Sequence, residues 1–97
     1  MFRQGDILIK KIEEFIDTNS FRHKKDNVIA IGKTGNSHKL IGGEVYLDSK
    51  KEIFLVLKRK GKIVHKEHKP IVLEKGIYKV IKQKEYISKD EEVLIYD

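Results

Sequence analysis

Apolar residues in this chain come in short runs broken by Gly, Asn and Asp, and almost none holds a helical period. That pattern restricts the fold to short strands joined by turns. Asp6–Ile12 is β-rich and follows Gly5, and Val28–Ile31 is a short apolar run between Asp26-Asn27 and Gly32. Glu44–Leu47 follows the Gly42-Gly43 pair, a hairpin signal. Ile53–Leu57 (IFLVL) is apolar on both faces and reads as a central strand. Gly61 within Arg59–Lys62 marks a turn, from which Lys62–Lys66 returns. Pro70 removes a backbone donor, so it belongs at a strand start or edge before Ile71–Leu73. Lys75-Gly76 turns the chain into Ile77–Tyr86, with Tyr78 and Val80 on one face and Ile77 and Ile81 on the other, and Val93–Tyr96 follows. The one helical stretch is Ile12–Asp17, and Thr18–Asp26 reads as a polar loop. The expected architecture is all-β: a small antiparallel barrel or sandwich of about seven to nine short strands, with at most one short helix.

A chain of 97 residues has one core to build, so residues 1–97 form a single domain. A hydrophobic fraction of 39% beside 37% charged residues fits a soluble globular domain. No apolar run is long enough to span a bilayer, and the opening MFRQGD lacks the features of a signal peptide. The absence of Cys removes disulfides and thiolate ligands and points to a reducing, cytoplasmic setting. Any transition-metal site must then use imidazole and carboxylate.

Charge is unevenly distributed. Lys58–Lys69 holds six Lys and Arg against Glu67, +5 of the total +6, while Glu85–Asp97 carries a net −4. Lys58, Arg59, Lys60, Lys62, Lys66 and Lys69 therefore read as a basic hairpin able to neutralise phosphates. Tyr46, Phe54, Tyr78 and Tyr86 are the aromatics a β surface can offer to bases, although Phe54 and Tyr78 sit in apolar strands that belong to the core.

The same segment carries His65 and His68. An i, i+3 pair on a regular strand points to opposite faces, so the two converge only if the chain bends between them. Lys66–Pro70 offers that bend, because Pro restricts the residue before it. His38, just after Thr34-Gly35-Asn36-Ser37, is placed to join them. Three imidazoles with Glu67 nearby suit a cupin-like divalent-metal centre. Two imidazoles among lysines suit an acid–base pair acting on a phosphodiester. Lysine crowding favours an anion over a dication. His23, within Arg22-His23-Lys24-Lys25, reads as a solvated loop residue.

Three segments together resemble a little-characterised family of small prokaryotic and phage proteins. Arg3-Gln4-Gly5-Asp6-Ile7-Leu8 matches an opening RQGD[VI]L motif, and Thr34–His38 partly matches TGHxH. His65, Glu67, His68, Pro70, Ile71, Leu73, Gly76, Tyr78, Val80, Gln83, Lys84, Glu85 and Tyr86 follow HxEHxPIxLxxGxYxVxxQ[RK]EY. The resemblance implies that Gln4, Asp6, His38, His65, Glu67, His68, Gln83, Glu85 and Tyr86 are the shared polar set; it supplies candidate residues, not an activity. Asn36 stands where the pattern has the first His of TGHxH, so a metal site here is expected to be of modest affinity.

The leading expectation is a small basic intracellular protein that binds nucleic acid or another phosphate-rich partner through Lys58–Lys69. The first alternative is a His38–His65–His68 site, holding a metal or cleaving phosphodiesters. The second is a protein-interaction module from a mobile element that binds an acidic protein surface.

Overall fold

The computed structural model describes residues 1–13, 18–31, 35–82, 85–88 and 91–93. The strands are β1 (Phe2–Gln4), β2 (Ile7–Ile12), β3 (Arg22–Lys24), β4 (Val28–Ile31), β5 (Ser37–Ile41), β6 (Glu44–Leu47), β7 (Ile53–Leu57), β8 (Gly61–His65), β9 (His68–Leu73), β10 (Gly76–Lys82), β11 (Glu85–Ser88) and β12 (Glu91–Val93). A 3-10 turn covers Thr18–Ser20. Strands pair antiparallel in a six-stranded sheet, β1-β2-β10-β7-β6-β3, and a four-stranded sheet, β4-β5-β8-β9; β11 and β12 form a separate hairpin.

The architecture is thus an all-β, sandwich-like pair of sheets, not a closed barrel. More strands form than the sequence suggested, because β1, β3 and β5 were not anticipated. Thr18–Asp26 is not a plain loop: Arg22–Lys24 pairs with β6. Ile12 ends β2 and does not start a helix, while 14–17 lie outside the described residues. The strand expected over Ile77–Tyr86 is described as β10 to Lys82 and β11 from Glu85, with 83–84 outside the described residues, as are 94–96 of the last expected strand. No helix among the described residues is long and apolar enough to cross a membrane.

Burial drives the sandwich. Ile7, Ile9, Leu40, Val45, Leu55, Ile63 and Leu73 form its dry centre, each contributing about 1.5–3 kcal/mol on leaving water. β7 is central as its composition requires, bonded to β10 on one side and β6 on the other. Phe54, on its far face, is covered by Phe21 edge to face with centroids 5.2 Å apart. Connections β5–β6 and β7–β8 both cross between sheets and pack against each other. Only glycine fits at Gly61, where a Cβ would lie 2.6 Å from Ile41 O and 2.8 Å from Leu57 Cδ2.

Candidate functional site

The polar site begins with the β1–β2 turn. Gly5 takes φ 59° at the first turn position, a conformation a tight hairpin needs there and glycine supplies cheaply. Gln4 and Asp6, on either side of it, are 2% and 5% exposed. Gln4 Nε2 donates to Ile63 O at 3.1 Å and to Lys69 O at 2.8 Å, bridging from β1 to β8 and β9. Both amide hydrogens are thereby committed, so Gln4 Oε1 is left facing His38 Nδ1 at 2.8 Å.

Three strands of the smaller sheet bring in the histidines. His38 and Leu40 alternate inward on β5 with Ser37, Lys39 and Ile41 outward. His38 and His65 lie one residue beyond the Lys39–Val64 pair, and His65 pairs with His68. The three rings therefore cluster on the inner face, with His65 at the corner. Ring centroids are 4.3 Å apart for His38–His65, 4.6 Å for His65–His68 and 6.2 Å for His38–His68. The expectation that these three residues share one side of the fold holds. The cause of the bend differs: a two-residue turn at Lys66-Glu67 makes it, and Pro70 lies within β9 at the sheet edge. His38 also sits on a strand, not on a loop.

Hydrogen bonding fixes the protons. Gln4 Oε1 only accepts, so His38 Nδ1 carries its hydrogen and neutral His38 keeps a lone pair on Nε2. Burial is the main cause holding the His38 pKa below the ordinary value; His65 and His68 push the same way, and Asp6 opposes them. His65 has the reverse tautomer when neutral. Its Nδ1 accepts from Glu67 N at 3.0 Å, leaving a hydrogen on Nε2. His38 Nε2 faces Asp6 Oδ1 at 3.5 Å, a distance too long for a charge-assisted hydrogen bond. Asp6 Oδ1, Asp6 Oδ2, His38 Nε2 and His65 Nε2 are all buried without a hydrogen-bond partner among the described residues.

The cluster thus presents buried electron pairs from a carboxylate and an imidazole, plus one inward N–H. Two electron-pair donors 3.5 Å apart call for a cation or a hydrogen-bond donor between them. Among the described residues no three His or carboxylate donors already surround a single point. His68 is partly exposed and forms the outer side of the cluster. Asp6 and Gln4 belong to this site, yet they stood in the sequence only as shared polar positions; the turn-forming Gly5 between them was the available signal.

Glu67 lies at the rim, where its Oε1 accepts from Asn36 Nδ2 at 2.7 Å. Asn36, in the position of the missing imidazole, thus ties the β4–β5 connection to the β8–β9 turn. Gln83 lies outside the described residues, as do the side chains of Glu85 and Tyr86.

The six cations of Lys58–Lys69 do not share one hairpin. Lys58, Arg59 and Lys60 occupy the β7–β8 crossing, and Lys62 is on β8. Lys66 is on the β8–β9 turn beside the histidines, about 13 Å away along β8, and Lys69 is on β9. Lys39, remote in sequence, joins the outer face through its pairing with Val64. Phe54 and Tyr78 are core residues, 8% and 2% exposed, and are closed to bases. The Tyr46 ring lies tilted against His23 with centroids 5.2 Å apart, and His23 lies on β3 and not in a loop.

No curated protein and no solved structure matches the chain. A family model does, over residues 3–83, a span that takes in the whole Gln4–Asp6–His38–His65–His68 constellation. The chain belongs to the family described as Domain of unknown function (DUF8820).

Proposed function

We propose that this domain binds a divalent transition-metal ion at Asp6 and His38, with His68 as the third, outer ligand. The observation that carries this reading is the facing pair of buried, unpartnered donors, His38 Nε2 and Asp6 Oδ1, 3.5 Å apart. Zinc–nitrogen and zinc–oxygen bonds near 2.1 Å at a tetrahedral angle put two ligand atoms about 3.4 Å apart. The pair is therefore spaced for such an ion. Gln4 is the outer partner that imidazole ligands usually have: it holds Nδ1–H and leaves Nε2 free to coordinate.

His65 has a different role. Its Nε2–H cannot coordinate while Nδ1 accepts from Glu67 N, so it donates to an oxygen in the remaining position. A bound ion supplies charge to polarise that oxygen. Two buried protein donors and one partly exposed one predict micromolar affinity.

Tag-free protein, dialysed against chelator, is titrated calorimetrically with zinc. Saturable binding is expected, weakened about tenfold or more by Asp6→Asn and by His38→Gln, and unchanged by His23→Gln. Absence of binding, or Asp6→Asn binding as wild type does, overturns the metal reading and returns the cluster to a buried polar network.

A further inference from the structure

A second surface lies at the other end of β8. Ile41, Lys62 and Val72 form one cross-strand row on the outer face of the four-stranded sheet. Ile41 is 48% exposed and Val72 54%. They line a depression of about 260 Å³ with Gly42, Gly61, Lys60 and Lys62. A second depression of about 250 Å³ adjoins it through Gly42 and is edged by Lys58, Arg59 and Glu44. The crossing connections fix this corner, because Gly42 and Gly61 are in backbone contact. Two carboxylates stand beside four cations and leave a positive corner: Lys60 reaches Glu74 at 3.6 Å across an exposed pair, and Glu44 accepts from Tyr46 Oη at 2.7 Å.

We infer that this corner docks an acidic protein segment bearing aliphatic side chains. Exposed aliphatic residues on either side of the Lys62 stem mark a surface that gains by being covered, and the lysines and arginine around them select the sign of what covers it. Aliphatic side chains pack on Ile41 and on Val72, either side of the Lys62 stem, while flanking carboxylates meet Lys60, Lys62, Lys58 and Arg59. Nucleic acid is the poorer occupant. The described residues place no aromatic side chain in either depression for a base to stack on, and a phosphate backbone leaves Ile41 and Val72 uncovered.

The test uses the full chain and two fluorescein-labelled probes, an alternating Glu-Leu peptide and a single-stranded oligo-dT, followed by fluorescence anisotropy at low and high salt. The peptide binds, and Ile41→Ser with Val72→Ser weakens it about tenfold, as expected when two half-exposed side chains stop being covered. Lys60→Gln with Lys62→Gln weakens it about fivefold and flattens its salt dependence. All four positions accept polar residues at the surface, and an unchanged thermal melt verifies folding. Two results overturn the inference: no peptide binding by wild type, or oligo-dT binding that the Ser pair leaves intact while the peptide fails. The second result identifies the corner as a phosphate-binding surface.

Discussion

Gln4→Leu tests whether one amide holds the site together. Leu is close to Gln in volume but removes all three Gln4 bonds, to Ile63 O, Lys69 O and His38 Nδ1. Lys69 O lies near solvent and can turn to water. Ile63 O and His38 Nδ1–H cannot, and each buried group left unpaired costs about 1–3 kcal/mol. The added apolar surface of Leu returns about 1 kcal/mol, leaving a net loss of about 1–5 kcal/mol. That is a large part of a stability that for domains of this kind is about 5–15 kcal/mol. Equilibrium urea unfolding reads it as a lower midpoint with an unchanged slope. Gln4→Glu retains an acceptor for His38 but loses both donors, and it falls between wild type and Leu if the two halves of the amide act separately. A Gln4→Leu loss under about 1 kcal/mol refutes the reasoning, because His38 would then have another partner.

Acidification of metal-free protein should lower stability below pH about 6.5, because unfolded His38 takes up a proton that folded His38, with its pKa held down, resists. One such group contributes at most about 1.4 kcal/mol per pH unit; His38→Gln should flatten the profile, and a stability that rises on acidification would contradict the sign. Gly61→Ala should cost about 1–3 kcal/mol by urea unfolding, since the new methyl meets Ile41 O at 2.6 Å and backbone must move; a neutral result would mean that the two crossings are not in contact. Tyr78→Phe should cost about 1 kcal/mol in the same assay by freeing Glu74 O from its 2.8 Å bond, and a loss much above that would show that the ring's packing had changed too.

Legibility followed the physical source of each strand's stability. Ile53–Leu57 and Val28–Ile31 were readable because their own side chains make the core. Arg22–Lys24 was not, since three charged or polar residues form a strand only because β6 offers its edge. Ser37–Ile41 alternates inward and outward as a strand should, but His38 in an inward position disguised the pattern. The histidine cluster was half legible: the proximity of the three was expected, but the tight Lys66-Glu67 turn was mistaken for an effect of Pro70. Asp6 could not be placed from sequence, because it reaches His38 only through the packing of a turn from one sheet against the other.

The central claim is that Gln4 holds His38 with its proton on Nδ1, so that Nε2 and Asp6 can share a metal ion. Long-range proton–nitrogen correlation spectra of the imidazoles, with and without zinc, test it directly. Metal-free protein should show His38 protonated on Nδ1 alone, and zinc should move the Nε2 resonance while Nδ1 keeps its proton. A His38 protonated on Nε2, or an Nε2 resonance indifferent to saturating zinc, contradicts the account.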